Sequence, residues 1–148
     1  MDLLTELESL LRELEASRVR YALTGGLALA VHGVVRATVD VDLLVPEEEI
    51  ERASGIAAML GFRAPTELAF SGGLRIRRLV KFEGEDALVL DLLRVDPSNV
   101  AAFDGRVRSP LGDLEISVVS RAGLRAMKLA AGRDQDLADV RRLEELDG

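Results

Sequence analysis

The stretch TGGLALAVHGVVRATVDVDLLV, residues 24–45, decides the fold of this chain. It begins with the pair Gly25-Gly26, continues through a predicted helix over 26–33 and ends in a predicted strand over 38–45. Successive side chains of a strand point to opposite faces, so Asp40 and Asp42 share one face, with Cβ atoms about 6.5 to 7 Å apart. The strand therefore directs two carboxylates toward one point in space.

The closeness of these carboxylates predicts a cation site. Two like charges in water-poor surroundings repel, and one carboxyl is pushed to keep its proton unless a cation lies between them. Mg²⁺ prefers oxygen ligands and binds through one or two carboxylates plus substrate phosphates. The competing interpretation is an amphipathic edge strand whose aspartates face solvent while Val39, Val41 and Leu43 point inward.

The glycine pair lies where a strand turns into a helix. A helix N-terminus carries unpaired N–H groups and a partial positive charge, and glycine lets the backbone approach a phosphate closely. Gly25 and Gly26 are therefore candidates for holding a triphosphate. The alternative is plain turn chemistry, because glycine tolerates positive φ.

A third carboxylate lies in the apolar run LVLDLLRV, residues 88–95, where Asp91 is the first charge. An isolated carboxylate is costly to bury, so such a residue is normally paired, hydrogen-bonded or bound to metal. Asp91 is the third candidate metal ligand. The alternative is an ion pair with Arg75, Arg77 or Arg78 on the preceding strand.

These residues resemble the motifs of the nucleotidyltransferase superfamily of the DNA polymerase β type. The phrase G-G-x-A-x-x-x-H-G-x-x-R-x-T-x-D-x-D over 25–42 is similar to the small prokaryotic branch that includes abortive-infection type IV toxins, and so is K followed by R-D-x-D-x-x-D over 128–139. The resemblance covers nearly the whole chain. It implies an α/β (α+β) fold, a mixed β-sheet with helices packed mainly on one side.

The resemblance also implies a task for each site residue. The glycines would hold the phosphates of an NTP, and three carboxylates would bind two metal ions, Mg²⁺ or alternatively Mn²⁺. One ion would activate a hydroxyl and the other would steady the leaving pyrophosphate. The implied metal-binding and catalytic residues are Asp40, Asp42 and Asp91, and the implied nucleotide-binding residues are Gly25, Gly26, Arg36, Thr38 and Lys128.

The function implied is transfer of a nucleoside monophosphate from an NTP to a hydroxyl of RNA, protein or a small molecule, with a role in a toxin–antitoxin pair as one form of it. The competing hypothesis is a catalytically inactive module of the same fold that binds a partner. Three converging charges favour the enzyme, because they destabilise a metal-free scaffold. The chain leaves little room for a second domain, so we expect a small acceptor, or a protein partner or second copy that completes the cleft.

Composition predicts one cytoplasmic domain over 1–148 with no membrane association. The 148 residues are 48% hydrophobic, enough for a core, and no apolar stretch is long enough to span a bilayer. The absence of cysteine excludes thiolate metal sites, and the single histidine argues against zinc. A net charge of −7 and 3% aromatic residues argue against a broad nucleic-acid-binding face.

One basic segment is an exception to this acidic balance. Arg75, Arg77, Arg78 and Lys81 lie close together in sequence, and an RNA end or another anionic acceptor could dock on them. The interpretation we favour is the solvated face of an ordinary strand.

Two further groups of charged or titratable residues have structural interpretations. His32 is expected to hydrogen-bond at a helix end rather than act as acid or base. Asp134, Asp136 and Asp139 are expected to cap the last helix and form surface ion pairs, with an inward Arg133–Asp136 bridge as the second choice.

The remaining pattern predicts alternating helices and strands, with Ser120 as an N-cap and 83–86 as a hairpin turn. The predicted helices are 2–16, 26–33, 47–60, 97–103, 120–131 and 134–146, and the predicted strands are 20–24, 38–45, 68–71, 75–83, 87–95 and 113–118.

Overall fold

The computed structural model describes residues 1–34 and 40–147, which form a seven-stranded mixed sheet with helices packed against it. The strands lie in the order β3-β4-β5-β2-β1-β7-β6, so β2 is central. Strand β2 pairs parallel with β5 and antiparallel with β1, which in turn pairs parallel with β7. The strands are β1 (Ala22–Thr24), β2 (Asp40–Val45), β3 (Arg63–Ala69), β4 (Arg75–Glu83), β5 (Asp86–Arg94), β6 (Val107–Leu111) and β7 (Leu114–Val118). The predicted fold class is confirmed.

The helices follow the apolar periodicity of the sequence. Helix α1 buries four leucines at helical spacing, 7, 10, 11 and 14, and the Asp2 side chain caps it by accepting a hydrogen bond from the Leu4 N–H. Ser120 caps α5 as predicted, accepting from the Gly123 N–H. The helices are α1 (Leu3–Ala16), α2 (Gly25–Val31), α3 (Ile50–Met59), α4 (Val100–Asp104), α5 (Arg121–Ala131) and α6 (Asp134–Asp147), with a 3-10 turn at Glu47–Glu49.

Different helices pack against the two faces of the sheet. Helices α1 and α3 contact the face that carries Lys81 and Arg77, which form ion pairs with Glu6 of α1 and Glu51 of α3. The opposite face is approached by α2 and α5 at the end of β1, where Thr24 donates a hydrogen bond to the Met127 sulfur, 3.7 Å away. Because Thr24 lies directly opposite Asp42, this second face is the one that carries the predicted carboxylates.

Two strands differ from the sequence prediction. Strand β3 begins at Arg63 rather than at residue 68, and β6 was not predicted at all. Both are edge strands, and each contains a proline, Pro65 in β3 and Pro110 in β6. Proline argues against an interior strand but is accepted at an edge, which explains why the pattern was missed.

A buried arginine at the end of β5 forms ion pairs that hold edge strand β3 in the sheet. Arg94 at the end of β5 is 6% exposed and donates to both Glu67 oxygens at 2.7 and 3.2 Å. The same guanidinium donates to Glu47 at 2.7 Å. This network fixes an otherwise exposed strand to the body of the sheet.

No helix in residues 1–34 and 40–147 is long and apolar enough to cross a membrane.

Candidate functional site

The three predicted carboxylates lie on one face at the centre of the sheet. Asp42 on β2 is directly opposite Asp91 on the parallel strand β5, and neighbouring strands are about 4.8 Å apart. Asp40 precedes Asp42 by two residues on the same strand, so its side chain is on the same face. The register of β2 and β5 therefore brings together residues that are about fifty positions apart in sequence.

Burial and neighbouring charge both act on Asp42. Burial, followed by the neighbouring carboxylates Asp91 and Asp40, raises its pKa from 3.8 to about 7. The positive charges of Lys128 and Arg78 act in the opposite direction and lower the pKa. A cation placed among the three carboxylates would relieve this repulsion.

Asp91 is held by an arginine. Its side chain is 7% exposed, and Arg78 on β4 donates from Nε to Oδ1 at 2.8 Å and from Nη2 to Oδ2 at 2.9 Å. The ion pair considered as an alternative for Asp91 is therefore formed, by Arg78 rather than by Arg75 or Arg77. Sequence analysis did not single out Arg78 as part of the site.

The carboxylates fit a divalent ion in donor type and charge. Carboxylate oxygens are the ligands that Mg²⁺ and Mn²⁺ prefer, and the register of β2 and β5 places Asp42 beside Asp91 on the face that also carries Asp40. In the part of the chain that the structure describes, no group of three or more His, Cys, Asp or Glu side chains is arranged so that it could hold one metal ion. In this arrangement both oxygens of Asp91 are engaged by Arg78 instead.

Gly25 has two reasons to be glycine. Its φ of +69° is in the left-handed region, and a Cβ atom there would overlap with Asp42 Oδ2 and lie 3.1 Å from Asp42 Cβ and Cγ. The start of α2 is therefore in direct contact with the carboxylate cluster. Gly26 follows as a buried residue in the first turn of α2.

Lys128 on α5 lies between the carboxylate cluster and the last helix. Its Nζ is 3.1 Å from Asp139 Oδ2 and 3.4 Å from Asp136 Oδ1, and its charge also acts on Asp42. The lysine side chain is 12% exposed, and those of Asp136 and Asp139 are 1% and 0% exposed. Lys128 is therefore held in place by two buried acids.

The surface interpretation of Asp136 and Asp139 is thus wrong, because both side chains are buried between α5 and α6. The second choice is the one observed: Arg133 donates from Nε to Asp136 Oδ2 at 2.7 Å. Gln135 adds a bond from Nε2 to Asp139 Oδ1 at 2.8 Å. These contacts fix Lys128, and sequence reasoning missed that role.

The expected structural role of His32 is confirmed. Its Nε2 donates to the backbone carbonyl of Val119 at 2.8 Å, which links the end of α2 to the segment before α5. Arg36 and Thr38, predicted to contact the nucleotide, lie outside the described residues.

The basic segment on β4 does not form one surface. Arg75, Arg77 and Lys81 point to the face opposite Arg78 and are paired with acids, at 3.5 Å to Glu47, 2.6 Å to Glu67 and 2.7 Å to Glu6. Arg78 alone among the four is on the carboxylate face. The segment therefore offers no continuous basic patch beside the candidate site.

Comparison with known proteins finds similar structures but no matching family model or curated sequence. No protein-family model matches the chain, and no curated protein sequence does either. A candidate nucleotidyltransferase from Thermotoga maritima matches with a TM-score of 0.70 and 16% identity, over 96% of this chain and 92% of that one. The chain has a nucleotidyltransferase fold.

A second protein shares this nucleotidyltransferase fold. The antibiotic-resistance factor ANT(2″)-Ia matches as a crystal structure in complex with adenylyl-2″-tobramycin, with a TM-score of 0.62 and 17% identity over 97% of this chain and 93% of that one. Its solution structure matches with a TM-score of 0.65 and 16% identity over 98% of this chain and 84% of that one. The likeness thus extends over nearly the whole chain, while the toxin-type branch stays a prediction.

Proposed function

We propose that this chain is a divalent-metal-dependent nucleotidyltransferase, which moves a nucleoside monophosphate from an NTP to a hydroxyl group. The observation that carries the proposal is the convergence of Asp40, Asp42 and Asp91 on one face of the central strands. A scaffold without chemistry has no use for a buried carboxylate, Asp42, whose ionisation is opposed by burial and by two neighbouring carboxylates. The nucleotidyltransferase fold of the chain supports the same reading.

The three carboxylates have distinct tasks in this proposal. Bound Mg²⁺ or Mn²⁺ supplies charge neutralisation at the phosphates and makes the attacking hydroxyl more acidic. Asp40 and Asp42 on β2 and Asp91 on β5 would hold the ions, and Asp91 would in addition accept the proton of the attacking hydroxyl. Phosphoryl transfer asks mainly for positioning and charge neutralisation, which a rigid sheet centre provides.

The phosphates of the NTP are assigned to the junction of β1 and α2. Gly25 lets the backbone of α2 begin beside Asp42, so N–H groups and carboxylates lie together there. Lys128, positioned by Asp136 and Asp139, adds a positive charge near the same carboxylate. Arg36 and Thr38 complete the set of proposed nucleotide contacts.

A small molecule with a hydroxyl group is the acceptor that we favour. The net charge of −7 opposes a nucleic acid acceptor, and three of the four basic side chains on β4 are ion-paired on the far face. ANT(2″)-Ia, which shares the fold, holds a small adenylylated molecule in its crystal structure. A toxin role with a protein partner is the further form that the sequence resemblance implies.

The test is a thermal shift experiment on the purified chain. We expect one or more NTPs to raise the melting temperature in the presence of Mg²⁺ and not in EDTA, since a ligand at 100 times its Kd stabilises by about 2.7 kcal/mol. The double variant Asp40→Asn/Asp42→Asn should lose that shift. Asp104→Asn, which removes an exposed carboxylate on α4, should keep it.

Transfer itself is measured with an NTP labelled at the α-phosphate and a panel of hydroxyl acceptors. We expect the wild type and Asp104→Asn to transfer the label to an acceptor and release unlabelled pyrophosphate, and Asp42→Asn to transfer none. Full activity of Asp42→Asn, or an undiminished nucleotide shift in the double variant, would contradict the proposal.

A further inference from the structure

Arg78 stands directly beside Asp91 in the cross-strand row that forms the candidate site. The antiparallel register of β4 and β5 places Arg78 opposite Asp91, and the parallel register of β5 and β2 places Asp91 opposite Asp42. Asp91 therefore has a guanidinium on one side and a carboxylate on the other. The guanidinium engages both oxygens of Asp91, which leaves neither without a charged donor.

The two side chains of this ion pair differ in exposure to solvent. The arginine side chain is 41% exposed and the aspartate side chain is 7% exposed. A forked arginine–carboxylate pair is among the stronger charge-assisted contacts, and here it shields the carboxylate from solvent. The arginine is thus the solvent-exposed member of the pair, and the aspartate is the buried one.

The charge of Arg78 acts on the whole cluster. The hydrogen bond to Asp91 raises the pKa of Arg78, and the charges of Asp91, Asp40 and Asp42 raise it further. Arg78 is therefore a tethered cation among the three carboxylates, in the region where the proposed function requires a divalent ion. A divalent ion bound to Asp91 would compete with this guanidinium for the same oxygens.

We propose that Arg78 is a latch on Asp91, which holds this carboxylate until a divalent ion displaces the guanidinium. The inference rests on the proposed function, since it concerns the same metal site. The latch stabilises the metal-free protein, because it compensates one charge of the cluster. It also lowers the affinity for the ion, because the ion must break two charge-assisted hydrogen bonds to reach Asp91.

Direct metal binding tests the latch without any measurement of catalysis. The metal-free protein is titrated with Mn²⁺, and the free ion is counted by electron paramagnetic resonance. We expect Arg78→Gln to bind Mn²⁺ about 10- to 100-fold more tightly than the wild type, the range that corresponds to losing hydrogen bonds to a charged group. Arg78→Lys, which keeps the charge but cannot form the fork, should fall between them.

Arg75→Gln is the matched control, because it removes the same charge from the same strand. Arg75 is 60% exposed and its nearest acid, Glu47, is 3.5 Å away. We expect its Kd for Mn²⁺ to stay within about twofold of the wild type, as for other weak surface ion pairs. A general effect of net charge would instead move both glutamine variants together.

The outcomes separate this inference from the proposed function. If the wild type and both Arg78 variants bind Mn²⁺ equally, the latch is overturned and the metal site stands. Weaker binding by Arg78→Gln also overturns it, because Arg78 would then organise the site rather than block it. If none of the proteins binds Mn²⁺, the proposed function and the latch fail together. Should Arg78→Gln not fold, Arg78→Lys decides: tighter binding supports the latch and equal binding overturns it.

Discussion

Replacing Asp42 by asparagine should stabilise the metal-free protein at alkaline pH and do so much less in acid. Burial and the neighbouring carboxylates raise the pKa of Asp42 from 3.8 to about 7. Between about pH 4 and pH 7 the folded protein therefore holds a proton that the unfolded chain releases, and the stability of the wild type falls as the pH rises. Asparagine does not ionise and escapes this loss.

The size of the effect follows from the two pKa values. The pKa values of Asp42 in the folded and unfolded states differ by about 3, and each pKa unit corresponds to about 1.36 kcal/mol of folding free energy. Once the pH exceeds both values, the wild type is therefore about 4 kcal/mol less stable than at low pH. At pH 5, which is about one unit above the pKa of Asp42 in the unfolded chain, the wild type has lost only about 1.5 kcal/mol of stability. The advantage of Asp42→Asn should thus grow by about 2.5 kcal/mol between pH 5 and pH 8.

Urea unfolding in EDTA at the two pH values measures this difference. Small domains usually unfold in one cooperative step, so the free energy of unfolding can be extrapolated to water. Asp104→Asn, an exposed site on α4, is the control and should change stability by less than about 0.5 kcal/mol at either pH. An advantage of Asp42→Asn that is the same at pH 5 and pH 8, or a loss of stability at pH 8, would refute the electrostatic reasoning.

Three further substitutions test the surroundings of the site by urea unfolding. Gly25→Ala should cost more stability than Gly72→Ala, because both glycines have positive φ but only the Cβ at position 25 meets other atoms; equal losses would show that the close approach does not matter. Lys128→Ala should cost about 1.5 to 3 kcal/mol, since it removes a buried cation from two buried carboxylates that keep Arg133 and Gln135 as partners, while Arg125→Ala, which breaks an exposed pair, should cost less than about 1 kcal/mol. Glu67→Ala should cost about 1 to 3 kcal/mol, because it removes the main partner of a buried arginine, and a neutral result would mean that this contact does not anchor β3.

The centre of the sheet could be predicted because its signals are local. The alternation around Asp40 and Asp42 fixed which side chains share a face, and the charge of Asp91 stood out in an apolar run. The predicted hairpin turn at 83–86 also determines how β4 and β5 pair. If residues 84 and 85 form the turn, pairing outward from it places Arg78 opposite Asp91, as observed. That count would have identified the arginine from sequence alone.

The parts that were missed depend on contacts between distant segments. Asp136 and Asp139 lie in a polar stretch whose pattern is typical of a solvated helix, and only the packing of α6 against α5 buries them beside Lys128. Strand β6 contains Pro110, which local rules count against a strand, although the turn after Leu111 brings it back onto β7. In both cases tertiary structure overrides the local preference.

The prolines in the two edge strands limit how this protein can associate with others. Pro65 and Pro110 have no N–H to offer to an incoming strand, so each border of the sheet is a poor template for its extension. Addition of strands from other molecules is therefore disfavoured at both β3 and β6. We therefore expect a protein that completes the cleft to contact this chain through side chains rather than through backbone pairing at the sheet edges.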